Sequence, residues 1–274
     1  MIPPEEIRRI DLPLLLRLIQ KIEFPHKLGI CQKLFAKRLA ANGICWVKTA
    51  AGPIWKLDLT NSTHRWIVYG KYEGPGLFNW IKRNLRPNPT IIDSGANIGQ
   101  MSLYFGCYFP AGLILAFEPG EYQADWLSEC LACNRHLPVK LHRKGLGDTT
   151  KTMYLQLSGH SCSHGSQNVV TIEPGEFPVA VVRLADALLA EGIEAVDLWK
   201  LDVEGFELPA LNGAGEWLEQ KRIRALWIET RGENGKSIIG FMQAVGYRAF
   251  GLDRTGYPQS ISDHQCENTL FLPV

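Results

Sequence analysis

The sequence predicts an α/β fold, a mostly parallel sheet flanked by helices and preceded by a small cap of helices and a hairpin, and three observations carry that expectation. From residue 90 onward, short β-rich apolar runs at 90–93, 113–117, 139–142, 196–201 and 223–228 alternate with helical periodicity, the pattern of βαβ units. The first run delivers its last residue into a glycine turn that opens a helix, the ligand-binding corner of open parallel sheets. The 274 residues, 46% hydrophobic and 21% charged, suffice for one large domain with an appendage and a sizeable core.

Apolar positions 12, 15, 16, 19 and 22 follow helical spacing, and a second set at 28, 31, 34, 35 and 39 ends at Asn42-Gly43, a stop signal. Two amphipathic helices therefore open the chain. Runs 45–49 and 54–59 alternate in the strand manner around Ala-Ala-Gly-Pro, which predicts a hairpin. Trp46, Trp55, Trp66 and Tyr69 concentrate here, and aromatics on strands read as core. The cap is expected to span residues 1–73 and the main domain 74–274. Helical patterns in the latter cover 98–109, 121–134, 206–219 and 237–246, while 247–251 and 269–272 supply closing strands. The stretch 151–182 reads as an inserted hairpin or ribbon.

With 29 Lys and Arg against 28 Asp and Glu, the net charge of +1 gives no long-range attraction for a polyanion, so nucleic acid is not an expected partner. No run approaches the roughly 18 apolar residues of a membrane span. The acidic, Pro-rich start lacks the features of a signal peptide, which points to the cytoplasm. Seven cysteines, an odd number spread widely, read as reduced thiols rather than a disulfide framework.

The most informative stretch is 90–99, TIIDSGANIG, a buried-strand pattern that ends in Asp93 and passes through Gly95, Ala96, Asn97 and Gly99 into a helix. Gly95 permits a φ that other residues resist and lets the chain approach a ligand, while Gly99 lets the helix pack close. Asn97 stands where a dinucleotide turn has its middle glycine, and Asp93 would repel a pyrophosphate. Both disfavour an NAD(P)-dependent oxidoreductase, which is kept as the weaker alternative. An acidic turn suits a ligand with a cationic end, and S-adenosylmethionine carries an ammonium and a sulfonium. Glu118, ending the second strand nineteen residues after Gly99, is placed to accept hydrogen bonds from both ribose hydroxyls, and Asp148, after the third strand, to reach the adenine amino group.

These residues carry a family resemblance. DSGANIG at 93–99, AFEP at 116–119, KLDVEGFE at 200–207 and WIE at 227–229 resemble the FkbM family of S-adenosylmethionine-dependent methyltransferases. The likeness covers roughly residues 55–273 and leaves the first 50 outside. Ser94 and Leu201 depart from the commoner Val and Ile, without touching the expected chemistry. The resemblance implies a Rossmann-like class I methyltransferase fold and O-methylation of a hydroxyl on a sugar, glycosylated metabolite or other natural product. It also places Tyr72 and Glu73 near the mouth shared by cofactor and acceptor. A cofactor-binding partner protein without turnover is the second alternative.

Ligands of open α/β sheets sit beyond the carboxyl ends of strands, where Asp202, Glu204 and Glu207 emerge, with Glu229 ending the next strand. Such carboxylates can take a proton from a hydroxyl, bind a diol, or coordinate a divalent cation such as magnesium. Asp202 is the first choice for base or positioning group, and it also borders the cofactor. Glu207 has a plainer role open to it, charging the first turn of a helix. His160 and His164, in the HSCSH segment, are alternative bases, since a neutral imidazole suits that task. Zinc at that segment is disfavoured by its His-x-Cys-x-His spacing, and Cys130-x-x-Cys133, on a helical pattern with no second pair nearby, reads as part of a buried helix; His264-x-Cys266 is a further polar pair near the end. The acceptor, small molecule or glycan, and the oligomeric state have no signature.

Overall fold

The computed structural model describes residues 7–50, 52–70, 74–157, 168–171, 177–261 and 267–274. The chain opens with β1 (Arg9–Ile10), α1 (Leu14–Ile19), α2 (Lys27–Ala40), a hairpin of β2 (Ile44–Lys48) and β3 (Ile54–Asp58), then α3 (Ser62–Tyr69) and α4 (Pro75–Asn84). The first wound half follows: β4 (Thr90–Ser94), α5 (Gln100–Tyr108), β5 (Leu113–Phe117), α6 (Glu121–Cys133) and β6 (Val139–His142). A side sheet of β7 (Gly145–Leu146), β8 (Lys151–Leu157), β9 (Asn168–Thr171) and β10 (Phe177–Val182) leads into α7 (Leu184–Ala190). The second half comprises β11 (Leu198–Leu201), α8 (Glu207–Ala214), α9 (Glu216–Glu219), β12 (Leu226–Glu229), α10 (Gly232–Ala244), β13 (Tyr247–Leu252), β14 (Pro258–Ser260) and β15 (Asn268–Pro273).

Eight strands form the main sheet in the order β14-β13-β15-β12-β11-β4-β5-β6. From β12 to β6 the pairings are parallel, and β15 enters antiparallel beside β12. The expected mostly parallel sheet flanked by helices is what the chain builds. Successive side chains of one strand go to opposite faces. Ile91, Ile114, Leu198 and Trp227 pack under α4 and α5, while Ile92, Leu115, Trp199 and Ile228 pack against residues of α7, α8, α9 and α10. Burial on both faces explains why these strands read as unbroken apolar runs.

The hairpin docks on α6 through Asn134, whose side-chain amide donates to the Ile54 carbonyl at 2.7 Å and accepts from the Ile54 amide at 2.9 Å, continuing the strand's hydrogen bonding with a side chain. Beside it, Trp126 Nε1 donates to the Lys56 carbonyl at 2.5 Å, and the Lys56 amide donates to Cys130 Sγ at 3.3 Å. Burial pushes the Cys130 thiol up to about 12, so it serves as a packing group.

Three sequence expectations need correction. Trp66 and Tyr69 lie on helix α3, not on strands, because Asn61 caps its start by accepting from the Thr63 amide and Gly70 ends it. Leu15, Ile22 and Leu34, assigned to buried stripes, are exposed, and Leu12, Leu16, Cys31, Phe35 and Leu39 fill the core instead. The single helix expected over 206–219 is broken at Gly215, whose φ of 46° and ψ of −122° lie outside helical space.

Candidate cofactor and acceptor site

The site is assembled from the carboxyl ends of β4, β5, β11 and β12. After β4 the chain makes a left-handed turn in which Gly95 has φ 72° and Asn97 φ 51°. A Cβ at Gly95 would run into the Asp202 carbonyl oxygen, so this glycine allows the turn to press against the end of β11. The Asp202 amide closes the contact by donating to the Ser94 carbonyl at 3.3 Å. Gly99 has a different neighbour from the expected strand, since a Cβ there would strike the Leu127 side chain on α6.

Asp93 is fully buried beneath the turn. Its Oδ2 accepts from Ser102 Oγ at 2.5 Å, while Oδ1 has no hydrogen-bond partner and lies 3.5 Å from Lys200 Nζ. Lys200 pairs in register with Asp93 across the sheet. Its ammonium also lies 3.3 Å from Asp202 Oδ2 and 3.4 Å from the Gly95 carbonyl. One buried cation thus holds the acidic turn and the acidic strand end together, a role the sequence pattern did not reveal.

Glu118 is buried at the end of β5, and its Oε2 and Oε1 accept from the Asn97 and Gly120 amides, each at 2.8 Å. Burial raises its carboxyl from 4.5 to about 7, against the pull of those amides and of Lys200. Asn97 Oδ1 is buried without a hydrogen-bond partner, so the turn carries an unsatisfied acceptor. Ala96 is buried, clustered with Ala116 and Leu127.

One residue beyond the Leu201–Ile228 pair of β11 and β12, Asp202 and Glu229 stand at adjacent strand ends. Glu229 is raised to about 7, first by burial and then by the Asp202 and Glu204 carboxylates, with Arg231 Nε at 3.2 Å opposing the shift. Glu204 is exposed, with φ 54°, and is raised by partial burial and by Asp202 and Glu207. Glu207 faces inward. Its Oε1 accepts from the Val203 and Gly205 amides at 3.1 Å each and its Oε2 from Asn234 at 3.1 Å, so it braces the turn that presents Asp202 and Glu204.

Asp148 lies on an exposed turn after β7, 3.6 Å from Lys151 Nζ and 3.2 Å from Thr149 Oγ1. Tyr72, Glu73, His160 and His164, together with Cys162, His264 and Cys266, fall outside the described residues. Among the described residues no three His, Cys, Asp or Glu side chains converge to hold a metal ion, which gives magnesium no built site there. No helix among them is long and apolar enough to cross a membrane.

A mostly parallel sheet with a glycine turn after β4, a buried carboxylate ending β5 and acidic side chains ending β11 and β12 is an α/β fold whose acidic groups gather at the carboxyl edge, where open sheets of this kind hold ligands. The chain belongs to the FkbM methyltransferase family, whose domain model matches residues 93–249. It is 35% identical over 163 residues to Methyltransferase sdnD of Sordaria araneosa, a match covering 48% of this chain and 63% of that protein. It is 24% identical over 193 residues to the 31-O-demethyl-FK506 methyltransferase FkbM of Streptomyces tacrolimicus, covering 60% of this chain and 74% of that one. Among solved structures, the precorrin-6y C5,15-methyltransferase of Geobacter metallireducens aligns with a TM-score of 0.43 and 11% identity, over 72% of this chain and 87% of the other. The chain spans about three fifths of the length of the Sordaria relative.

Proposed function

We propose that this protein transfers a methyl group from S-adenosylmethionine to a hydroxyl oxygen of a small-molecule or glycan acceptor. The observation that supports the proposal is the direct contact between the glycine turn and the Asp202 segment; on this reading the turn holds the donor and Asp202 is the carboxylate that meets the acceptor. Family membership supports methyl transfer, and the name of the Streptomyces relative describes methylation of an oxygen.

The turn suits the donor. Asn97 Oδ1 has no hydrogen-bond partner, and Asp93 beneath the turn, which shares the Lys200 ammonium with Asp202, favours a cationic ligand over a pyrophosphate. Glu118 would turn toward the ribose hydroxyls, giving up one of its two backbone amides, and Asp148 is assigned the adenine end. When bound, S-adenosylmethionine would supply an electrophilic methyl group, transferred to the hydroxyl oxygen as the carbon–sulfur bond breaks and the neutral thioether leaves.

The chain's own residues then align the acceptor and take up its proton. Asp202 orients the hydroxyl, and the Asp202–Glu229 pair receives the proton. Lys200 Nζ, 3.3 Å from Asp202 Oδ2, holds that carboxylate in place, while burial gives Glu229 a proton affinity matched to neutral pH. Alignment of this kind contributes several kcal/mol, and a positioned base about 10²- to 10⁴-fold in rate.

Calorimetric titration tests the division of roles. Wild-type protein and the Asp202→Ala variant should bind S-adenosylmethionine, and Glu118→Ala should not. NAD or NADP should give no saturable heat in any of them. Equal losses in the two variants would refute the separation of donor and acceptor functions, and binding of a dinucleotide would refute the donor.

A further inference from the structure

The two helices that open the chain leave apolar side chains in water. Leu14, Leu15 and Leu18 on α1, Ile22 just after it, and Ile30 and Leu34 on α2 are between 42% and 67% exposed. Leu14 and Leu18 are four residues apart on α1, as are Ile30 and Leu34 on α2, so each pair lies along one side of its helix, with Ile22 exposed in the segment that follows α1. The opposite sides are spent on the core through Leu16 and through Cys31, Phe35 and Leu39. Six large aliphatics exposed within 21 consecutive residues exceed the scattered singles of an ordinary surface.

Charge is distributed just as unevenly. Residues 7–41 hold eight of the 29 Lys and Arg but two of the 28 Asp and Glu, so this stretch carries +6 and the remainder of the chain −5. Lys27 is buried and paired with Glu23 at 3.2 Å, whereas Arg17 and Lys21 by the first stripe, and Lys33, Lys37 and Arg38 by the second, are exposed. Aliphatic stripes flanked by long basic side chains are what a helix needs to lie in a lipid–water interface: the aliphatics enter the acyl boundary and the basic heads reach the phosphates.

We propose that α1 and α2 dock the protein on the surface of an anionic lipid bilayer as a peripheral, non-spanning attachment. Charge complementarity selects this occupant over the others. Nucleic acid would satisfy the basic residues and leave the six aliphatics in water. A second copy would cover the aliphatics and bring +6 against +6.

The test is cosedimentation of the full chain with vesicles of phosphatidylcholine alone and of phosphatidylcholine mixed with phosphatidylglycerol, at low and high salt. The protein should pellet with the phosphatidylglycerol vesicles, less so as salt rises, and should stay in solution with phosphatidylcholine alone. Each basic residue near an anionic surface contributes about fivefold, so Lys33→Glu/Lys37→Glu should weaken binding by at least about tenfold. Leu15→Asp/Leu18→Asp should weaken it comparably. All four positions are exposed, so the variants should keep the wild-type circular dichroism and melting temperature, and loss of binding then reports on the surface itself. Absence of pelleting, equal pelleting with both vesicle types, or binding untouched by either double variant would overturn the proposal. So would a dimer abolished by Leu15→Asp/Leu18→Asp, or retention of duplex DNA, in the absence of vesicle binding.

Discussion

The buried Glu118 carboxylate makes a quantitative prediction about the ligand-free protein. Its affinity for protons is raised from 4.5 to about 7, chiefly by burial. A carboxyl raised in the folded state contributes stability below its unfolded value, and the contribution is lost as pH climbs through the folded value. At 1.36 kcal/mol per unit, the shift makes the wild-type protein lose about 2.5 kcal/mol of stability between pH 5 and pH 8 from this group alone. Glu118→Gln removes the titration. It also leaves one of the Asn97 and Gly120 amides facing an N–H instead of an oxygen, a pH-independent cost of about 1–3 kcal/mol. Urea unfolding of both proteins at pH 5, 6, 7 and 8 separates the two effects. The variant should be the weaker at pH 5, and its deficit should shrink by about 2.5 kcal/mol by pH 8. Parallel curves with a constant offset would refute the reasoning, since they would mean that Glu118 titrates identically in the folded and unfolded chain.

Gly95→Ala forces a Cβ into the Asp202 carbonyl and a left-handed φ onto alanine, and should cost at least about 3 kcal/mol or prevent folding, as read from the urea midpoint. Asn134→Ala removes the amide that pairs with both Ile54 backbone groups and should cost about 2–3 kcal/mol, with faster proteolysis of the β2–β3 hairpin as the local readout. Because Glu229 is raised to about 7 and must be ionised to take a proton, methyl transfer should increase with pH through that region. Glu229→Gln should lower kcat by about 10²-fold or more and flatten the profile, and an unchanged profile would remove Glu229 from proton transfer.

Much of the sheet and the glycine turn was legible because β4 is buried on both faces and the turn needs glycine where it meets its neighbour, constraints that write themselves into local sequence. The missed helices α3 and α4 also had signals, Asn61 and Gly70 as caps and Pro75 as a first helical residue, but they are short and aromatic-rich, and strand propensity outweighed the caps. The second pattern that misled was the amphipathic spacing at Leu15, Ile22 and Leu34, where periodicity marks a stripe without saying which stripe faces the core. Lys200 was hidden for a different reason. Its importance comes from register, which sets a lysine of β11 opposite Asp93 of β4, 107 positions away in sequence, and no local pattern encodes that distance. Glu207 illustrates the reverse: an acidic residue in a motif whose carboxylate is consumed by its own turn.

The contact between Gly95 and the Asp202 carbonyl has a consequence for how this scaffold can diversify. With backbone packed directly on backbone, the spacing between the glycine turn and the end of β11 is set by the main chain rather than by the length of a side chain. Under the proposed function, a bulkier or smaller acceptor is then accommodated by residues away from this main-chain contact.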